Sequence, residues 1–152
     1  MGAEERLRQL GLTLPEAPKP VANYVPAVRT GNLVFVSGQA CLVNGEMKYK
    51  GKVGADLTVE QGYEAARLAA LNALAILRAE LGDLNRVRRV VKVFGLVNSA
   101  PGFNLQPQVI NGASDLLVEV FGEAGRHARS AVGANELPFD TPVEVELIVE
   151  AD

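Results

Sequence analysis

The stretch HARSAVGANELPFDTPVEVELIVEA, His127 to Ala151, reads as two β-strands joined by a proline-containing turn, and its charges constrain the rest of the chain. Alternation in PVEVELIVEA puts Val143, Val145, Leu147 and Val149 on one face and Glu144, Glu146, Ile148 and Glu150 on the other. That two-residue period predicts a strand with one buried face. ARSAVG, ahead of the turn NELPFDT, is a strand with Arg129 near its head. Charges on strands that enter a core have to be answered by a partner, by solvent or by a ligand.

Working outward, the segment from about Gln108 to Phe121 places Val109, Ala113, Leu116, Leu117, Val120 and Phe121 on one helical face, with Gly122 after it. VRRVVKVFGLVNS, Val87 to Ser99, has strand composition, and SAPGFN is a turn-rich break. A longer helix runs through LTVEQGYEAARLAALNALAILRAELGD. Thr58 and Gln61 form a capping-box pattern at its start, and Gly82 marks its end. Its stripe of Val59, Tyr63, Ala66, Ala70, Ala73, Leu74 and Leu77 is rich in alanine and allows close approach to a sheet.

Nearer the N-terminus, NLVFVSG (Asn32 to Gly38) is a strand entered by the turn TGN, and Asn44-Gly45 predicts a tight hairpin within CLVNGEMKY. The first twenty residues look like an extension: a short helix in EERLRQL ended by Gly11, then LPEAPKP with three prolines in six residues. A single domain is expected over residues 21–152. This order predicts an α+β or α/β sandwich of two layers, a sheet of four to six strands with two helices on one face. The uncovered face carries apolar and mixed residues and calls for another subunit.

Composition narrows the chemistry. The chain has 152 residues, a net charge of −3, one histidine and one cysteine. Those counts exclude a multi-histidine metal site, a thiolate cluster and an intrachain disulfide. No apolar run is long enough to span a membrane and no signal peptide precedes the domain, so a cytoplasmic protein is expected. The basic cluster RVRRVVK reads as a solvated face and not as a nucleic-acid footprint. A Cys41–His127 nucleophilic pair is possible on residue types alone, but no motif links the two.

Arg129 admits two readings. It reaches solvent or pairs with Glu144 or Glu146, or it anchors an anionic ligand through its rigid fork of donors. Glu144 likewise belongs to a solvated strand face or reaches into a pocket to hold a water.

Taken together, NYVPAVRTGNLVFVSGQ at Asn23 to Gln39, the long helix, VVKVFGLV, the helix with Asn111 and the closing ARSAV…LP…VEVE resemble the reactive intermediate deaminase (Rid, or YjgF-like) family, formerly called L-PSP endoribonucleases. The resemblance covers about Pro20 to Ala151. It implies a chorismate-mutase-like fold with a mixed sheet, assembled as a homotrimer with clefts between subunits. It also implies a hydrolase acting on C–N bonds, one that converts imines or enamines of the 2-aminoacrylate type to 2-keto acids and ammonia without metal or organic cofactor. Its partners would be small imino and keto acids, not nucleic acid or membrane.

Carried over by position, Arg129 would bind the substrate carboxylate and Glu144 would position or activate water. Tyr24 would stand near the cleft mouth as a third catalytic residue, Ser37 and Asn111 would line or support the substrate site, and backbone groups around Ala131 would serve the nitrogen. Ala131 stands where the family often has cysteine. The N-terminal twenty residues and the 98–111 connection also depart from shorter members and are expected to remodel the cleft mouth. The alternative from another class is a non-catalytic trimer that binds small carboxylates. RNA cleavage is the weakest reading for a net-acidic chain with one histidine.

Overall fold

The structure, a computed structural model, describes residues 1–20 and 22–152. The boundary expected at Val21 therefore falls outside the described residues. Among the described residues, seven strands, β1 (Ala27–Thr30), β2 (Leu33–Gln39), β3 (Leu42–Val43), β4 (Glu46–Met47), β5 (Val87–Asn98), β6 (Ala128–Ala134) and β7 (Val143–Ala151), accompany three α-helices. The helices are α1 (Ala3–Gln9), α2 (Val59–Leu81) and α3 (Gln106–Phe121).

Turn chemistry sets the local geometry. Asn44 and Gly45 adopt φ of 53° and 80°, the pair of left-handed residues that a tight β3–β4 turn requires. The Thr58 hydroxyl accepts from Gln61 N–H, and the Gln61 side chain accepts from Thr58 N–H, so α2 starts with both halves of a capping box. Gly82 ends it at φ 84°. Helix α3 starts at Gln106, slightly ahead of the expected Gln108. Pro107 is tolerated there because first-turn N–H groups lack intrahelical acceptors. The irregular part of the 98–111 connection is thereby reduced to residues 99–105.

The main sheet has five strands in the order β1-β2-β7-β5-β6. Only β5 and β6 run parallel, joined through α3, and the remaining pairs are antiparallel. Val143, Val145, Leu147 and Val149 are buried, as their alternation predicts, and face α2 and α3 together with Val34, Val36, Val93 and Val97. A small residue lets the two long helices close on each other. A methyl at Gly112 would lie 1.9 Å from the Tyr63 carbonyl oxygen, so α3 crosses α2 at backbone contact there.

Helix α1 adds a third helix to the layer where two were expected. Its Ala3 and Leu7 are buried, and it packs against α3. Glu4 accepts from Arg78 (2.6 and 3.2 Å) and from Leu84 N–H (3.0 Å). Burial works against the Glu4 charge, but these three donors prevail and hold its pKa below the usual carboxylate value. Among the described residues, no helix is long and apolar enough to cross a membrane. On the face away from the helices, Val28, Phe35 and Val132 are exposed, while Leu96 and Ile148 are half-buried.

Candidate functional site

The sequence-derived residues fall into two groups, separated by the pleat of the sheet. Register places Arg129 beside Val93, which in turn lies beside Leu147. Both neighbours are buried under the helices, so Arg129 points to the helix-covered face at the sheet edge. Glu144 lies between buried Val143 and Val145 and therefore points to the opposite face. Arg129 pairs with neither Glu144 nor Glu146, and that reading of its charge is corrected.

Glu144 opens into a cleft of about 810 Å³ whose walls include Tyr24, Ser37, Gly38 and Phe139. Gly38 lies against the carboxylate: a methyl there would sit 3.2 Å from Glu144 Cδ. The Ser37 N–H donates to the Pro26 carbonyl (2.9 Å), and its hydroxyl oxygen accepts from Gln39 Nε2 (3.2 Å). The hydroxyl hydrogen is thereby left to point elsewhere. Burial, reinforced by the Glu146 charge, pushes the Glu144 carboxyl above its ordinary pKa. A carboxyl shifted in that direction is better suited to exchange a proton with water near neutral pH.

Sequence reasoning missed several cleft residues. Phe139 stands 68% exposed at the rim. It and Asp140 both adopt left-handed backbone, φ 58° and 57°. Strain of that kind persists where neighbours over-determine it. Here Asp140 Oδ1 accepts from Asn98 Nδ2 (3.2 Å), and the Asp140 carbonyl accepts from Gly51 N–H (2.9 Å). Lys50 also lines the cleft, and Pro18, Lys19 and Pro20 form part of its wall. A proline after Leu137 signalled a turn but not its handedness. Nothing in local sequence connects residue 19 to residue 144.

Arg129 lies in a shallower depression of about 560 Å³ with Ser114, Asp115, Glu119, Arg126 and His127. Its Nη1 donates to Asn111 Oδ1 (2.8 Å) and Ser114 Oγ (3.1 Å), and its Nη2 donates to the Pro107 carbonyl (3.4 Å). Both nearby carboxylates have other partners. Asp115 accepts from the Tyr63 hydroxyl (2.6 Å) and Glu119 from Arg67 (3.0 Å). The Nε–H and one Nη2–H of Arg129 have no acceptor among the described residues, leaving a pair of donors available.

Asn111 thus supports Arg129 directly. Ala131, two residues along, shares its face and is half-buried, and β6 is a sheet edge with unpaired backbone groups along one side. Cys41 and His127 do not form a pair. Cys41 is buried with its Sγ 3.5 Å from Met47 Sδ and from the Tyr49 carbonyl, whereas His127 bonds to Ser114 and Gly125.

A mixed five-stranded sheet under a helix layer, with half-buried Arg129 on its edge strand and half-buried Glu144 on a central one, places the chain in the α+β, chorismate-mutase-like class. The family model described as "YjgF/chorismate mutase-like, putative endoribonuclease" matches residues 4–151, and the chain belongs to this YjgF (Rid) family. That match takes in nearly all of α1.

Protein TCP17 of Trypanosoma cruzi is 50% identical over 145 residues, covering 95% of this chain and 91% of that protein. A 2-iminobutanoate/2-iminopropanoate deaminase of Dermatophagoides farinae is 30% identical over 138 residues, covering 91% and 93%. Among solved structures, protein Atu1372 of Agrobacterium tumefaciens, described as of unknown function, superposes with a TM-score of 0.92 at 50% identity, covering 99% of this chain and 92% of that one.

Proposed function

We propose that the protein is a hydrolytic deaminase of 2-imino acids and their enamine tautomers, working as a homotrimer. Water adds to the C=N carbon, and the resulting carbinolamine loses ammonia to leave the 2-keto acid. Arg129 binds the substrate carboxylate, Glu144 takes a proton from the attacking water and returns it to the nitrogen that leaves as ammonia, and Tyr24 borders the site. Ser37 and Asn111 support the pocket, and backbone groups near Ala131 meet the substrate nitrogen. No metal or organic cofactor enters this scheme.

The observation that carries the reading is the free edge of Arg129. A half-buried guanidinium with two donors unoccupied, beside carboxylates already engaged elsewhere, matches a planar carboxylate from outside the chain. The similarity to a protein named as an iminobutanoate/iminopropanoate deaminase supports the same substrate class.

Assembly follows from the separation of the two groups. Arg129 and Glu144 point to opposite faces of one sheet, so a site that uses both takes Arg129 from one subunit and Glu144 from a neighbour. Exposed Val28, Phe35 and Val132 give such a neighbour an apolar surface to cover.

The family's endoribonuclease label fits this chain poorly. Net charge is −3 and the one histidine is hydrogen-bonded within its own chain. Keto-acid release from an imino acid generated in situ by an amino-acid oxidase tests the proposal. Acceleration by wild type, lost in Arg129→Ala and Glu144→Gln variants of unchanged oligomeric state, is expected. No acceleration across several side-chain sizes, with 2-keto acids still binding, would move the protein to the non-catalytic carboxylate-binding class.

A further inference from the structure

His127 and Ser114 have no part in the scheme above, yet they form a continuous hydrogen-bonded chain that ends on Arg129. The distances are 2.6 Å from His127 Nδ1 to the Gly125 carbonyl, 2.9 Å from His127 Nε2 to Ser114 Oγ, and 3.1 Å from Ser114 Oγ to Arg129 Nη1.

Each donor in this chain is determined by chemistry. A carbonyl only accepts, so the imidazole proton is on Nδ1. Guanidinium only donates, so the Ser114 oxygen accepts from Arg129 and its hydroxyl hydrogen is free for Nε2. The order closes with a neutral ring. Burial pushes the His127 pKa below its usual value and the Arg129 charge adds to this, while the Gly125 acceptor pulls the other way.

The far end of the chain is anchored. A methyl at Gly125 would lie 2.2 Å from the Leu117 carbonyl oxygen, so only glycine lets the Gly122–Gly125 turn press onto α3 and hold its carbonyl there. The other charged groups of the depression leave the relay alone. Asp115 and Glu119 are engaged by Tyr63 and Arg67, and Arg126 is an exposed cation whose nearest carboxylate is Glu123.

We propose that Ser114 and His127 are positioning residues: through Ser114 Oγ they hold Arg129 Nη1 against α3, so that the Nε–Nη2 edge faces the substrate carboxylate. A flexible arginine loses side-chain entropy when it grips a ligand bidentately. Fixing Nη1 beforehand, with Asn111 as the second acceptor, removes part of that cost before substrate arrives. The relay differs from a nucleophilic serine–histidine pair because Arg129 donates onto the serine oxygen and opposes its attack on an electrophile. It rests on the reading of Arg129 as the carboxylate anchor.

The test uses pyruvate as the probe and the assembled protein, with the lone histidine giving an unambiguous imidazole signal. Long-range proton–nitrogen spectra at neutral pH are expected to show the Nδ1–H tautomer, and an Nε2–H tautomer would overturn the relay. Ser114→Ala is expected to weaken pyruvate binding, and raise KM, about tenfold while kcat changes by less than about twofold. His127→Phe should behave like Ser114→Ala, and Ser114→Thr should restore binding.

If wild type binds pyruvate and Ser114→Ala binds it equally well, the relay is wrong and the anchor stands. If wild type binds no 2-keto acid, the anchor reading falls and the relay falls with it.

Discussion

The cleft around Glu144 and the depression around Arg129 are built on different plans. The first is the larger, its wall mixing aromatic and apolar groups with Lys19 and Lys50, and it holds a carboxyl whose proton affinity is raised by burial. The second is shallow and polar and fixes a cation by neutral acceptors on α3. In the proposed function, one prepares a proton acceptor and the other a carboxylate grip. Each is organised within its own chain, and the pleat of the sheet keeps them apart. On the proposed reading, bringing the two together is left to quaternary structure.

The largest test of that division is complementation. Arg129→Ala should lower kcat/KM about 10³-fold, because a bidentate charge pair is lost. Glu144→Gln should lower kcat about 10²-fold or more, as expected for loss of a general base. Mixing the two variants under conditions that exchange subunits should recover part of the activity. Failure to recover any would mean that the two regions do not combine across subunits. Steady-state keto-acid release reads all three results.

Gly112→Ala should damage one region and spare the other. Its methyl would meet the Tyr63 carbonyl oxygen at 1.9 Å, between the residues that present Asn111 and Ser114. A loss of about 3 kcal/mol in chemical denaturation is expected from overpacking. Where the protein still folds, carboxylate binding should suffer more than the environment of Glu144.

Smaller effects come from titration. Glu144 is held above its ordinary pKa, so its ionised form destabilises the fold at neutral pH. Glu144→Gln is therefore expected to raise the melting temperature by about 2 °C even as activity disappears. His127 is held below 6.5, and the unfolded chain takes up its proton first as pH falls. Stability should be undiminished above about that pH, decline as pH drops below it, and level off beneath the folded value. His127→Gln should remove that slope from thermal melts across pH.

Legibility in the sequence followed the range of each interaction. Thr58 with Gln61, Asn44 with Gly45, and the alternation from Val143 to Val149 are local signals, and each produced the expected element. The start of α3 was less legible because Leu105 supplies no side-chain cap. Arg129 was recognisable as a charge needing an answer, but its acceptors lie 15 to 22 residues away on another element. Spacing alone pointed to glutamates that strand parity puts on the other face. The packing of α1 was also out of reach, since the Glu4–Arg78 pair spans 74 residues.

That N-terminal pair has a consequence for how such a protein diversifies. Pro18, Lys19 and Pro20 wall the Glu144 cleft, while the helix before them is latched to the body by Glu4 and the buried side chains of Ala3 and Leu7. One wall of the cleft thus belongs to a segment outside the sheet and its crossover helix. Substitutions within residues 18–20 can reshape or recharge that wall without touching the sheet. The scaffold carrying Arg129 and Glu144 stays intact while the shape of the cleft is revised.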